Sequence, residues 1–272
     1  MIRREIKLEQ TGPLWLLVSQ VEHARISSEL AAVWEEQFPA DVIDAIKHHD
    51  DGWANWDVMP HIDPNQGRPY SFQELPATDS MTIWEGSIAE ARKLGPLAGW
   101  IVAGHFMALL ARSGHSQEPF AQQWLQLMAE QRAAWLAEWQ EVSPDNSLQT
   151  AARSQRMLLV ADLFSLWLCC DCPLAEGSAS ILNAPGMKGR TQAVLGLYQF
   201  EARENSVQRP SECNQTLQLS WTLAIKPWPL VVDELTLSTH AKFVPVRQYK
   251  NAAEITVTSS HADLRWRLLP PA

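Results

Sequence analysis

The sequence predicts a mainly α fold: a helical core over residues 1–175 and a small β-rich C-terminal appendage, residues 176–272, packed on it. Two observations carry this expectation. Up to about residue 175 apolar residues recur at spacings of three and four, the period of an amphipathic helix. From about residue 176 they alternate with polar ones, the period of a half-buried strand. A chain of 272 residues is long enough to bury a full core, and neither repeats nor low-complexity tracts interrupt it.

Taken in order, the first helix is expected after Gly12-Pro13, with Leu16, Ser19, His23, Ile26, Leu30 and Trp34 along one face. A second spans about Ala40 to Asp50 and ends in His48-His49-Asp50-Asp51-Gly52-Trp53. Some thirty residues rich in Pro, Asp, Asn and Gly then read as a long loop. A helix over about 80–94 begins behind Thr78-Asp79-Ser80, and Gly95-Pro96 separates it from a helix over 97–112 that contains His105. A helix over 118–141 carries Trp124, Leu127, Trp135 and Trp139, and Ser143-Pro144-Asp145-Asn146 closes it before the helix of Asp162. Beyond that, Leu195 to Phe200, Leu217 to Leu223, Ile255 with Val257, and Leu264 to Leu268 read as strands, bounded by Pro227-Trp228-Pro229 and Pro270-Pro271.

Bulk properties remove several classes of function. A formal net charge of −9 argues against a nucleic-acid partner, because no cationic stripe is available to release counterions. No apolar run reaches spanning length and no hydrophobic secretion segment follows Met1-Ile2-Arg3-Arg4-Glu5, so the expectation is a cytoplasmic protein with no membrane partner. Cys169-Cys170-Asp171-Cys172 has the spacing of neither a zinc pair nor a disulfide framework, and reads as reduced thiols at the end of a buried helix.

The stretch from His48 to Trp53 carries the chemistry. On a helix His49 and Asp50 project about 100° apart and can both reach one ion. Gly52 suits the left-handed residue that ends many helices. His23 and His105 sit inside apolar helical runs, where a histidine needs a partner. Asp162 lies in Met157-Leu158-Leu159-Val160-Ala161-Asp162-Leu163-Phe164, where an unpaired carboxylate is expensive. Either a cation or an arginine such as Arg156 must compensate it. Imidazoles with carboxylates suit Fe, Mn, Zn or Ni, as one ion or, with His105, two. A bound divalent ion lowers the pKa of its water toward neutral and prepares it to attack a phosphoryl or acyl centre.

The pattern His23 … His49-Asp50 … Asp162 resembles the HD superfamily of metal-dependent phosphohydrolases, and His49-Asp50-Asp51-Gly52 matches its His-Asp-x-Gly. The resemblance covers roughly residues 14 to 170. It implies an HD-domain-like helical core, metal ligands at His23, His49, Asp50 and Asp162 with His105 as an extension, and catalytic roles for Asp50 and Asp51. It also implies a small phosphorylated or nucleotide-like metabolite as substrate. A longer string, His49-Asp50-Asp51-Gly52-Trp53 with Gly67-Arg68-Pro69-Tyr70-Ser71-Phe72 and Pro227-Trp228-Pro229, resembles the family DUF3891, whose members have no settled activity. Two other functions fit the same residues: an HD-like di-iron oxygenase or lyase, and a metal- or ligand-binding module without turnover.

The loop leaving the His-Asp pair is expected to face a small-molecule substrate. It offers Trp53, Trp56 and Tyr70 as apolar plates and Arg68, with Lys47 before the pair, as phosphate contacts. His48, on a different face from His49, is a spare. His61 and His115 read as solvent-facing.

Overall fold

The computed structural model describes residues 1–8, 12–172, 177–180, 198–208 and 216–272. Two strands open the chain, β1 (Ile2–Leu8) and β2 (Gly12–Val18). Seven helices follow: α1 (Gln20–Ala32), α2 (Ala40–Lys47), α3 (Ala54–Val58), α4 (Ala77–Leu94), α5 (Pro96–Ala111), α6 (Pro119–Val142) and α7 (Leu148–Cys170). A single 3₁₀ turn over Asp51–Trp53 joins α2 to α3. The remainder is β3 (Gly177–Ser180), β4 (Gln199–Gln208), β5 (Leu217–Lys226), β6 (Leu235–Pro245), α8 (Ala252–Thr258) and β7 (Ser260–Leu269).

All seven strands form one mixed sheet in the order β1-β2-β6-β7-β5-β4-β3. Among the described strands only the β5–β7 pair is parallel, with Trp221 opposite Trp266. β2 pairs with β6 through Leu16 and Phe243, which ties the start of the chain to its last third. One sheet face and the helices share a single apolar core, in which Ile6 and Leu16 join Ile26, Phe164, Trp167, Trp221 and Trp266. Burying one such indole contributes about 4–6 kcal/mol before entropy is subtracted. A smaller cluster of Met1, Trp15, Leu17, Val244, Tyr249 and Ile255 covers the other face near β2.

The mainly α fold with a small appendage is therefore corrected. About half of the described residues are helical and a quarter are strand, and the sheet is a full partner in the core. The first helix was expected directly after Gly12-Pro13, yet residues 12–18 are strand and α1 starts only at Gln20. The reason is visible in β2, where every residue from Leu14 to Val18 is buried. A strand covered on both faces loses its alternation and reads like a stretch of buried helix. Ser19 marks the true start: its hydroxyl accepts from the Val21 and Glu22 amides at 3.1 and 3.4 Å, which satisfies two of the free donors of the first turn.

Three smaller expectations also change. Ile255 and Val257 belong to α8, capped by Asn251, with Ile255 buried and Val257 exposed. The long loop begins with the 3₁₀ turn and α3 before turning irregular. The proposed strand at Leu195 and Leu197 lies outside the described residues, while β4 takes in Phe200. The helices expected from residue 80 to Asp162 all form. Among the described residues no helix is long and apolar enough to cross a membrane.

Candidate metal centre

Four segments far apart in sequence meet in the core. His23 lies one turn into α1, His49 and Asp50 follow the end of α2, His105 lies in the middle of α5, and Asp162 in α7. All five are buried, with His23 and His49 fully so. α5 can deliver an imidazole to the interior because it is apolar around nearly its whole circumference.

The distances are short. His23 Nε2 lies 3.0 Å from Asp162 Oδ1 and 3.8 Å from Asp50 Oδ2. His49 Nε2 lies 3.4 Å from Asp162 Oδ1 and 3.6 Å from Asp50 Oδ2. One ligand atom each from His23, His49 and Asp162 falls within 4.8 Å of the others, and the nitrogen–oxygen separations of 3.0 and 3.4 Å are ones that two bonds of about 2.0–2.2 Å to one ion can span. The His105 and His49 rings meet edge-to-face with centres 5.4 Å apart, and those of His23 and His49 do so at 5.5 Å.

The outer hydrogen bonds fix which nitrogen faces inward. His49 Nδ1 is 2.7 Å from the Ile46 carbonyl. A carbonyl only accepts, so Nδ1 carries the hydrogen and the neutral ring presents the Nε2 lone pair to the carboxylates. That Nε2 has no hydrogen-bond partner. His23 is held similarly: the Ser165 hydroxyl donates to the Asp162 carbonyl at 3.0 Å and lies 2.6 Å from His23 Nδ1, which donates to it. Ser27 donates to Ser165 at 2.7 Å, because the Ser165 hydrogen is already given to the Asp162 carbonyl. Backbone and hydroxyl acceptors behind the imidazoles are the usual support of metal-ligating histidines.

Lone pairs facing carboxylates require a positive charge between them. Without a metal, a proton fills the role. Burial opposes a charge on His49, but Asp50 and Asp162 overcome it and push its pKa up to about 9. Burial likewise raises Asp50, against the pull of His49 and His23. Asp162 moves the other way: burial opposes its charge, yet His105, His23 and His49 hold it well below the usual carboxylate range. A divalent cation would replace the proton with two charges, so the donor set fits a metal ion.

Asp162 is thus met by imidazoles and not by Arg156, which is exposed. His48 and Asp51 lie outside the centre and pair with each other, Nδ1 to Oδ2, at 2.8 Å. Gly52 plays a different part from the one expected. It lacks the left-handed backbone that Gly12, Gly67 and Gly95 adopt. Instead, a Cβ there would stand 2.1 Å from the Ile83 carbonyl oxygen and 2.6 Å from the Ser87 amide nitrogen. The 3₁₀ turn lies directly on α4, and the Gly52 amide donates to the Ser87 hydroxyl at 3.0 Å.

A cavity of about 180 Å³ opens from the centre, with Asp50, Asp162 and His105 in its wall. Trp53 lines it, as does His115, which is exposed at the surface. The other expected substrate contacts lie elsewhere. Lys47 is exposed at the end of α2. Trp56 stacks on His61 with ring centres 3.9 Å apart, and Tyr70 lines the same small surface pocket. Arg68 pairs with Glu74, which Arg3 also holds, each at 2.7 Å. Sequence reading passed over Ser27, Ser165 and Gln20. The first two had a signal: Ser27 is four residues from His23 and Ser165 three from Asp162, the spacings that place a hydroxyl beside a ligand on one helix face.

Fold and site together define an α+β protein with a buried His/His/Asp cluster that could hold a metal ion. The chain belongs to the family described as a protein of unknown function (DUF3891), whose model matches residues 1–246. Comparisons with curated proteins and with solved structures returned no match.

Proposed function

We propose that this protein is a divalent-metal-dependent hydrolase of the HD type, acting on a phosphoester of a small metabolite. The observation that carries the reading is the His49 Nε2 atom, buried, without a hydrogen-bond partner and facing two carboxylates beside a cavity. His23, His49 and Asp162 would hold the ion with Asp50 beside them, and the donor set suits Fe, Mn, Zn or Ni. When bound, the ion supplies Lewis-acid activation of water and charge for the phosphoryl oxygens.

The protein's own residues supply the rest. Asp50, between the imidazoles and the cavity, accepts the proton that water loses as its oxygen bonds to phosphorus. The bond to the leaving oxygen breaks, and that oxygen is protonated from His105 or solvent. Ser165 and the Ile46 carbonyl keep the imidazoles in the ligating tautomer.

Elemental analysis of the purified protein, followed by rates on bis(4-nitrophenyl) phosphate, tests the reading. About one ion per chain is expected, with turnover abolished in Asp50→Asn. Hydrolysis unchanged in Asp50→Asn would remove the assigned proton acceptor. Paired iron with oxygen-dependent turnover and no hydrolysis would replace the hydrolase by an oxygenase.

A further inference from the structure

The cavity beside the centre has a character of its own. Its walls include Trp53, Phe72, Trp84 and Phe106, and Trp84 lies parallel to Phe106 with ring centres 5.4 Å apart. Among the described residues lining it there is neither lysine nor arginine. The two cationic side chains that could have met a phosphate chain, Lys47 and Arg68, are not among them.

One polar group in the wall stands out. Gln20, the first residue of α1, is 3% exposed, and its Oε1 has no hydrogen-bond partner. Its backbone is pinned, because the Gln20 amide donates to Asp57 Oδ2 at 2.7 Å, so the side chain is delivered to the cavity wall by the helix start. A buried amide oxygen left unbonded is costly, and a ligand donor at that point would relieve the cost.

We propose that the substrate is a small molecule with an apolar ring-sized body, one N–H or O–H that Gln20 Oε1 accepts, and no more than one negative charge. The proposal rests on the hydrolase reading for the reacting group but not for the pocket. The aromatic walls take the body, as in most small-molecule sites, and the amide oxygen reads the donor. A nucleotide polyphosphate finds no fixed cation along these walls beyond the centre itself.

The test is binding to the chelator-treated protein, which separates recognition from turnover. Benzamide, which has the donor, is compared with methyl benzoate, which has the same ring and none, and with ATP, by ligand-detected NMR titration. Benzamide should bind about fivefold or more tighter than methyl benzoate, the worth of one hydrogen bond, and ATP should bind more weakly than either. Gln20→Met, of similar length and apolar, should abolish the preference while leaving methyl benzoate binding intact. Equal binding of the two benzoyl probes to wild type would overturn the proposal even if the variant failed to fold, as would ATP binding tighter than both. Loss of hydrolysis with the benzamide preference intact would instead count against the hydrolase reading alone.

Discussion

His49 with Asp50 and His48 with Asp51 use the same residue types within four consecutive positions, yet they occupy opposite environments. The inner pair is buried and turned toward Asp162 and His23. The outer pair closes on itself at 2.8 Å with side chains 35% and 26% exposed. Water screens the outer pair, so its attraction is worth little. The inner pair is buried, where water screens little, and each lone pair must be met by a proton or a cation. Position in the fold, not residue type, makes one His-Asp pair a candidate ligand set and the other a surface ion pair.

The strongest way to break this comparison is to remove a ligand. His49→Ala or Asp162→Ala should drop metal content from about one ion per chain to near zero. It should also cancel the rise in Tm that added metal gives the wild type, since ligand at a thousand times its Kd stabilises by about 4 kcal/mol. Full metal content in both variants would show that the inner cluster is not the centre.

The next effect tests what holds the inner pair in place. Gly52→Ala forces a methyl group into the Ile83 and Ser87 backbone, and backbone has no rotamer to yield. Destabilisation of about 2 kcal/mol or more is expected in urea unfolding, with weaker metal binding as Asp50 shifts. An unaffected midpoint would mean that the turn does not need its close approach to α4.

Ser165→Ala should act on the metal through His23. Without the hydroxyl, His23 Nδ1 loses the partner that orients its ring, and metal affinity should fall by roughly 10- to 100-fold, the usual cost of removing such support. Unfolding should shift by only about 1 kcal/mol. A pure stability loss with unchanged metal affinity would reduce Ser165 to a packing residue.

A pH series on the chelated protein sharpens the same contrast. The folded-state pKa of His49 lies near 9, above its ordinary 6.5. Its contribution to stability is therefore fully present below about 6.5 and is lost as pH rises toward 9. Tm of the metal-free protein should fall across that window, and His49→Ala should flatten the fall. Identical slopes in wild type and variant would locate the titrating group elsewhere. His48→Ala is the smallest change: metal content unaltered and stability within about 0.5 kcal/mol. Loss of metal in this variant with retention in His49→Ala would reverse the roles of the two pairs.

Much of the candidate centre is legible in the sequence, and for a definite reason. Ionisable residues inside apolar helical runs, as His23, His105 and Asp162 are, must find partners, and only a few such residues exist in the chain to serve one another. The substrate side was less legible. Arg68 and Trp56 were exposed by composition to a functional reading, but Glu74 and His61 engage them locally. Gln20, a common residue type at a helix start, carried no signal at all.

The sequence by itself determined the helices from α4 to α7, the alternating strands β5 and β7, and the residue types of the candidate metal centre, because these depend on local period and on the cost of burying charge. Tertiary structure alone decided that Leu14–Val18 is a strand, that Gly52 serves a close approach and not a left-handed turn, and that His49 faces inward while His48 does not. Each of these depends on an element remote in sequence: β6 beside β2, α4 against the 3₁₀ turn, α1 and α7 around His49. Periodicity reports which side of a segment is apolar; it carries no record of what will be packed against it.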